Sequence, residues 1–432
     1  MKTLLAVLVA VVTLAWGYDV ALSSTPPGAH PLWIVRQEAL YLSGLLSIAL
    51  MSLAMLLATR PAWLEGPLCG MDRVYRAHKW AGILAVAFAA MHWLIELSGD
   101  LLKAAIGRAG RLPKVKYQGL LEVLRDLAKD MGEWAIYAVL LMLAITLWQR
   151  FPYRRWRLVH RAMPVLYLML ALHTALLAPP DYWTQPVGVL LAALLAAGIY
   201  GAARSLAGLI GRERTVRGEI IQVERPATDV LSLRCRLDAG WHGHRAGQFA
   251  FVTFDEREGA HPFTIASADR GDRVIRLAIK ALGDYTAGLG SELHPGQPLR
   301  VEGPYGRFQL SRCDPRSRQI WIAGGIGITP FLAWLEALQD APATAPAAEL
   351  HYCTRDRDSD AFVTRLQELC ARLPAVHLQV HDRRHGDALA AWNPGDARGA
   401  EVWFCGPAGL ARTIRKILPH RLRFHQEAFA MR

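Results

Sequence analysis

The stretch HKWAGILAVAFAAMH, which runs from His78 to His92, has a histidine at each end of an otherwise small and apolar segment. Its length and composition are those of a membrane-spanning helix. An ionisable side chain at membrane depth marks a functional site by default, because burying an unpaired polar group costs free energy. The alternative for either histidine alone is a hydrogen-bonded core residue. A second segment with the same pattern would favour the functional interpretation.

Apolar residues are concentrated in the first half of the chain, whereas the second half carries ordinary charge. The chain has 432 residues, of which 53% are hydrophobic, and this length allows two or three domains. The asymmetry predicts a membrane domain followed by a soluble one. The net charge of +12 does not indicate nucleic-acid binding, because no basic helix or aromatic-basic surface motif is present. The six cysteines form no CxxC pair, which argues against a zinc ribbon or an iron–sulfur cluster.

Six apolar runs are long enough to cross a bilayer, for which roughly 17–25 residues are needed. The first run, MKTLLAVLVAVVTLAWG, also fits a signal peptide, although no A-x-A cleavage site is obvious. Six spans would put both termini on the same side of the membrane. The runs lie near residues 3–18, 34–57, 79–97, 134–149, 158–178 and 186–207.

Lysine and arginine in the short loops predict the orientation of these spans. The 58–77 and 150–157 loops are arginine-rich, whereas the 19–33 and 179–185 loops contain no lysine or arginine. The arginine-rich loops and the C-terminal half are therefore expected on the cytoplasmic side. The loop at 98–133 disagrees, since it should lie outside yet holds seven basic residues. Its part YQGLLEVLRDLAKDM has helical apolar periodicity, which predicts a helix along the outer membrane surface.

The fifth span repeats the histidine pattern of the third. His78 and His92 are 14 residues apart, which is roughly 21 Å along a helix, and His160 and His173 are 13 apart. Both spans run outward, so each of two layers receives one imidazole from each helix. Two axial imidazoles suit the iron of a b-type haem, whereas zinc needs further ligands. The spacing predicts two haems, held by His78 with His160 on the inner side and by His92 with His173 on the outer side.

Helix phase makes a further prediction for the fifth span. At about 100° per residue, two side chains 14 residues apart on a helix point within about 40° of each other, whereas two side chains 13 residues apart differ by about 140°. Pro164 lies between His160 and His173 and can interrupt the hydrogen-bond ladder. A helix irregularity is therefore expected near Pro164.

Charged residues also lie near the outer ends of the second and third spans. Arg36, Glu38 and Glu96 can be interfacial residues solvated by water and headgroups. The functional interpretation is an outer pocket beside the second haem that tunes its potential or assists the final acceptor.

The second half reads as two successive folding patterns. Residues 213–313 contain six short strand-like segments with glycine and proline punctuation, which predict a small antiparallel barrel. Residues 318–432 alternate strands and helices, which predicts an open α/β sheet. The expected domains are a transmembrane domain at 1–210, an antiparallel barrel at 213–314 and an α/β domain at 315–432. The segment GGIGITP, Gly324–Pro330, would join strand to helix so that backbone can approach a pyrophosphate.

Several short motifs occur in one order along the second half: HPFTIAS, IKALGDYT, VEGPYG, GGIGITP, CGP and QEAF. Together they resemble the ferredoxin-reductase-type module that binds FAD and NAD(P)H. Joined to six spans with paired histidines, the whole chain is similar to the membrane NADPH oxidase and ferric reductase superfamily. The resemblance implies a haem-binding bundle of six helices, an FAD-binding β-barrel and an NAD(P)-binding α/β domain.

The resemblance also implies roles for particular residues. It assigns nucleotide contacts to Arg355, the glycine-rich turn and the CGP motif, and places Cys405 and Phe429 at the nicotinamide–flavin junction. Arg355 and Arg357 would favour NADPH, whereas Asp356, Asp358 and Asp360 would favour NADH, and the sequence leaves both open. The FAD site would comprise His261, Pro262, Phe263, Thr264, Ser267, Lys280 and Thr286. The NAD(P) site would comprise Gly325, Gly327, Thr329, Pro330, Arg355, Cys405, Gly406 and Pro407.

The predicted function is transmembrane electron transfer from cytoplasmic NAD(P)H, through FAD and two haems, to an acceptor outside. Dioxygen, which would give superoxide, is the first expectation; ferric iron and a periplasmic redox protein are alternatives. Two other kinds of protein remain as hypotheses: a cytochrome subunit of a larger complex, and an ion-conducting protein with an appended sensor. No EF-hand loop or other regulatory module is evident, so no obligatory regulatory subunit is expected. The composition, which lacks glycosylation sequons, suggests a bacterial inner membrane, with both termini cytoplasmic.

Overall fold

A computed structural model describes most of the chain. It covers residues 2–68, 70–113, 117–148, 150–314, 316–386, 389, 399–418 and 422–427. Two compact units can be separated: residues 1–68 with 73–210, and residues 69–72 with 211–432.

The first unit is helical and contains six candidate membrane spans, as the sequence predicted. Its helices are α1 Lys2–Leu22, α2 Pro31–Ala58, α3 Ala62–Leu68, α4 Met71–Ile106, α5 Leu120–Leu147, α6 Tyr153–His160, α7 Met163–Leu177 and α8 Pro186–Leu206. The fifth candidate span, Arg155–Leu177, combines α6 and α7.

Helix α2 lies at the centre of this unit, with most of its apolar length buried. Small residues allow close helix approach: a Cβ added at Gly201 of α8 would fall within 3.0 Å of the Met55 backbone. The Ser52 hydroxyl of α2 lies 2.9 Å from the hydroxyl of Tyr167 on α7. Helix α1 packs on α2, and Trp16 Nε1 donates to Glu38 at 3.2 Å. This packing makes α1 part of the bundle.

The prediction of a separate surface helix within residues 98–133 is wrong. Helix α4 continues to Ile106, and α5 already begins at Leu120. The amphipathic stretch therefore belongs to one continuous helix with the fourth span. A 36-residue helix such as α4 is about 54 Å long, far more than a hydrocarbon core of about 30 Å, so charged turns can extend beyond the bilayer.

The irregularity expected near Pro164 is confirmed. Helix α6 ends at His160 and α7 begins at Met163, so the two histidines of this span lie on separate helices. The turn is tightened by an Ala162 N–H that donates to Val159 O at 3.0 Å. Proline in the first turn of α7 removes one donor from the ladder, which is tolerated at a helix start. The break supplies the rotation that a regular helix with a 13-residue step lacks.

The second unit begins with a six-stranded antiparallel sheet, and this part of the prediction is confirmed. Its order is β4-β3-β6-β1-β2-β5. An antiparallel bridge between Ile265, which follows β4, and Leu277 of β5 brings the two edges together. A further helix, α9 Asp284–Glu292, follows β5 and was not predicted. The strands are β1 Thr215–Ala227, β2 Val230–Leu237, β3 Phe249–Thr253, β4 His261–Thr264, β5 Val274–Lys280 and β6 Pro298–Tyr305.

A five-stranded parallel sheet completes this unit, as the alternating pattern predicted. Its order is β11-β10-β7-β8-β9, and the last strand in the chain, β11, was missed by sequence reasoning. Edge-on rings of Trp321, Trp334 and Trp403 fill the core beside it. The strands are β7 Gln319–Gly324, β8 Ala348–Thr354, β9 Val376–Asp382, β10 Glu401–Cys405 and β11 Arg423–Glu427, and the helices are α10 Thr329–Gln339, α11 Val363–Ala371 and α12 Ala408–Ile417.

Candidate functional site

The four span histidines meet in two pairs within the helical unit. The ring centroids of His78 and His160 are 6.1 Å apart, with an interplanar angle of 82°. Those of His92 and His173 are 6.4 Å apart, at 81°. The two arrangements are nearly the same although α4 is continuous and the α6–α7 segment is broken. The pairs are the ones that the sequence spacing predicted.

Three of the four rings have the same hydrogen bond to a backbone carbonyl. The Nδ1 atom lies 2.9 Å from Ala54 O in His78, 2.9 Å from Leu40 O in His92 and 2.7 Å from Ala128 O in His173. A carbonyl oxygen only accepts, so Nδ1 carries the proton in each neutral ring. The lone pair is then on Nε2, which is the atom free to bind a metal.

Two glycines that sequence reasoning missed lie against the outer pair. A Cβ added at Gly132 of α5 would come within 3.0 Å of His173, and one at Gly44 of α2 would lie 3.1 Å from Nδ1 of His92. Glycine at these positions lets a helix backbone approach an imidazole ring. Their distance in sequence from the histidines gave no signal for this contact.

The proposed outer pocket residues are engaged with one another. The Arg36 guanidinium contacts the Glu96 carboxylate at 2.8 Å and the Glu96 carbonyl at 2.7 Å. Glu38 instead accepts a hydrogen bond from Trp16. Arg36 and Glu96 therefore join α2 to α4, while Glu38 faces α1.

A large cavity opens in the second unit between elements of its two sheets. Its volume is about 1570 Å³, which exceeds the roughly 300–1,000 Å³ of a site for one small ligand. The predicted FAD residues that line it are Pro262, Phe263, Thr264, Lys280 and Thr286. The predicted nucleotide residues that line it are Gly325, Gly327, Thr329, Arg355, Cys405, Gly406 and Pro407.

Three predicted site residues do not reach this cavity lining. The His261 ring stacks on Tyr285 with centroids 4.0 Å apart, and the Ser267 hydroxyl accepts the Arg276 N–H at 3.1 Å. Pro330 is buried in the first turn of α10, where its fixed φ suits the helix start. These side chains serve local structure. Phe429 lies outside the described residues.

Lys280 and Thr286 line the cavity but already have partners. Lys280 Nζ lies 3.1 Å from the Asp229 carboxylate. The Thr286 hydroxyl accepts the N–H of Leu282 at 3.0 Å and so holds the turn that begins α9. A dianionic pyrophosphate would compete with Asp229 for the ammonium group.

The glycine-rich turn after β7 packs tightly on the neighbouring strand. A Cβ added at Gly327 would overlap the backbone of Cys405 in β10. Gly325 has a positive φ of 54°, which glycine adopts at low cost. The turn leads into the first helix of the parallel sheet, where backbone N–H groups favour a phosphate group.

Three acidic side chains near Arg355 are held by other groups. Asp356 pairs with Arg384 at 2.5 Å, and Asp360 accepts hydrogen bonds from the Tyr352 and Thr354 hydroxyls. The His385 side chain and two backbone N–H groups lower the pKa of Asp382 to about 2.

Arg355 and Arg383 line the cavity, and among the described residues neither has a carboxylate partner. These two guanidinium groups are therefore available to an anionic ligand, and Asp358 and Asp360 line the same cavity.

Cys405 lies at the end of β10 with 1% of its surface exposed. Burial raises the pKa of its thiol well above the usual range. The group is therefore neutral at physiological pH and acts as a small uncharged neighbour for a ligand, and not as a thiolate nucleophile.

Comparison with known families agrees with this architecture. Residues 43–171 match the ferric reductase like transmembrane component, and residues 216–309 match an FAD-binding domain. The chain thus belongs to the ferric reductase and NADPH oxidase type, in which a transmembrane component is fused to a reductase module.

Individual relatives cover the chain in part. It is 31% identical over 175 residues to a heme-dependent oxidative N-demethylase beta subunit of Ectopseudomonas mendocina (strain ymp), a match over 39% of this chain and 54% of that protein. It is also 31% identical over 189 residues to the ferredoxin–NAD(+) reductase component of an alkene monooxygenase system of Xanthobacter autotrophicus, over 39% of this chain and 57% of that protein. The chain therefore spans little more than half the length of these relatives.

A flavohemoglobin from Malassezia yamatoensis, solved with bound FAD and heme, resembles the chain in fold. The TM-score is 0.50 at 16% identity, over 93% of this chain and all of that one.

Proposed function

We propose that this protein is a transmembrane oxidoreductase that carries electrons from cytoplasmic NAD(P)H to a one-electron acceptor on the opposite side of the membrane. The proposal rests on the two histidine pairs, His78 with His160 and His92 with His173. When bound, FAD and haem would supply the change from two-electron to one-electron transfer and the carriers within the bilayer.

The histidine geometry fits haem iron. A metal held between two Nε2 atoms with bonds of about 2.0 Å leaves the ring centroids roughly 6 Å apart. The centroid separations of 6.1 and 6.4 Å agree with this value. In three rings the Nδ1 hydrogen bond leaves Nε2 as the ligand atom and raises its basicity. No carboxylate or thiolate joins either pair within the described residues, so zinc is less well matched.

In this proposal the second unit binds FAD and the nicotinamide dinucleotide, and the first unit shields the electron path from water. Gly325, Gly327 and Thr329 bind the dinucleotide phosphates, and Lys280 neutralises the FAD pyrophosphate. Cys405 excludes water and charge from the hydride-transfer position. The apolar residues between the histidines keep water away from the electron path.

NADPH is the proposed donor. Among the described residues, Arg355 and Arg383 have no carboxylate partner, whereas Asp356, Asp360 and Asp382 are held by other groups. A 2′-phosphate would accept charged hydrogen bonds from these two guanidinium groups.

Dioxygen, reduced to superoxide, is the proposed acceptor. Ferric iron is a second candidate, which the description of the matched transmembrane component favours. A periplasmic redox protein is the third.

Haem content and acceptor choice test the proposal. The purified full-length protein should show two low-spin b-type haems per chain. His78→Ala and His92→Ala should each remove one, whereas His242→Ala, an exposed histidine of the second unit, should remove none. NADPH oxidation should then be compared in oxygen, with a ferric chelate, and in a cytochrome c assay with superoxide dismutase. Absence of haem from the wild-type protein would refute the mechanism.

A further inference from the structure

One of the four span histidines differs from the other three. The Nδ1 atoms of His78, His92 and His173 reach backbone carbonyls. The Nδ1 atom of His160 is buried and has no hydrogen-bond partner among the described residues. Some other contact must therefore hold this ring in the orientation that faces His78.

That contact is an indole ring one helical turn earlier. Trp156 stacks on His160 with ring centroids 4.8 Å apart and an interplanar angle of 18°. Residues four apart lie on the same face of a helix, so α6 brings the two rings together. The face of the imidazole is covered and its edge remains directed at His78.

The indole is itself anchored to a second helix. Trp156 Nε1 donates to the Thr146 hydroxyl of α5 at 2.9 Å, and that hydroxyl donates to Met142 O at 2.7 Å. This anchor is needed because α6 has only eight residues and is separated from α7 by a break. A short helix of this kind does not by itself hold a side chain in one direction.

A tryptophan near a span end can also be a simple interfacial anchor. Trp134, 72% exposed on α5, has the exposure expected of such a residue. Trp156 differs because it is half-buried and its N–H bonds inside the bundle instead of pointing to water. The two roles predict different results for the same substitution.

We infer that Trp156 is the positioning residue of His160, and that the Thr146–Trp156–His160 stack replaces the carbonyl hydrogen bond that orients the other three ligands. The inference rests on the proposed haem function. It makes the inner axial site chemically different from the outer one, since a ligand without an Nδ1 acceptor is a weaker donor to ferric iron.

Redox titration and low-spin EPR of the full-length protein test the inference. Trp156→Leu removes the stack and opens Nδ1 to water. Water would accept a hydrogen bond from the Nδ1–H group and so stabilise the ferric state, so the potential of one haem should fall and its EPR line should broaden. Trp156→Phe keeps an aromatic face and should shift that potential less, and Thr146→Val, which removes only the anchor, should fall between them. Trp134→Leu is the matched control and should leave both haems unchanged.

The possible results distinguish the positioning role of Trp156 from the proposed haem function. Loss or shift of one haem in Trp156→Leu, with Trp156→Phe close to wild type, supports the positioning role. Equal effects of the two substitutions, equal shifts of both haems, or no shift in any variant would overturn it while leaving the haem function intact. A wild-type protein without haem would instead overturn the proposed function.

Discussion

Gly132 offers a sharp test of the outer histidine pair. In Gly132→Ala the new Cβ would lie within 3.0 Å of His173 ring atoms, whereas carbon contacts are relaxed at about 3.5–4.0 Å. The ring must retreat by at least about 0.5 Å. Its hydrogen bond to Ala128 O, now 2.7 Å, would then be weakened or lost.

Both effects lower haem affinity at this site. Overpacking costs about 1–3 kcal/mol and the lost hydrogen bond about 1 kcal/mol, so the total is about 2–4 kcal/mol. This corresponds to roughly 30- to 1000-fold weaker haem retention. Alanine is the better helix former by about 1 kcal/mol, so helix α5 itself should not unfold.

The assay is the pyridine haemochrome content per chain, with an EPR spectrum of the ferric protein. Gly132→Ala should retain the inner haem and lose most of the outer one. Gly44→Ala, where the new Cβ lies 3.1 Å from His92, should keep two haems with a shifted outer signal. Gly17→Ala on α1, a helix without a proposed haem ligand and with open space at this position, is the control. Two haems with an unchanged spectrum in Gly132→Ala would refute the reasoning.

Three further predictions concern the second unit. Arg383→Ser should raise the KM for NADPH roughly 10- to 100-fold, which is the effect of losing one charged hydrogen bond, and should change the KM for NADH little. Arg357→Ser, at a residue outside the cavity lining, is the control. Equal effects on both nucleotides would contradict the 2′-phosphate assignment. Gly327→Ala should weaken NADP⁺ binding and lower the midpoint of thermal unfolding, because its Cβ overlaps the Cys405 backbone. Gly290→Ala on α9 enters open space outside the cavity lining and should do neither. Cys405 should resist alkylation at pH 8, because burial raises the pKa of its thiol and leaves almost no thiolate. Peptide mass spectrometry can compare its alkylation with that of Cys353, and equal reactivity of the two cysteines would contradict this prediction.

Much of the architecture could be predicted from the chain alone. Apolar runs of bilayer length gave the six spans, because lipid requires every backbone group of a span to be paired internally. The histidine intervals gave the two pairs, since helix rise and rotation convert sequence spacing into depth and direction. Alternating strands and glycine-rich turns likewise predicted an antiparallel sheet followed by an open α/β sheet. The helix break at Arg161–Ala162 followed from the mismatch of a 13-residue step.

Other features were decided only by tertiary structure. Hydropathy reports which segments prefer lipid, but it does not tell which backbone carbonyl accepts the hydrogen bond of His173 or which glycine leaves room for its ring. The pairing of Asp356 with Arg384, which follows β9, joins segments that are distant in sequence. The continuous form of α4 and α5 was missed because charged turns that extend beyond the bilayer resemble a loop in a hydropathy window.

The histidines at the two ends of HKWAGILAVAFAAMH illustrate this division. Their residue type, depth and common helix face are properties of the sequence, because local helix geometry determines them. Their ring orientation depends on Ala54 and Leu40 of α2, and that of the opposing His160 on Trp156 and, through it, Thr146 of α5. Contacts between helices distant in sequence form only when the bundle packs, and for that reason they can be read only from the folded structure.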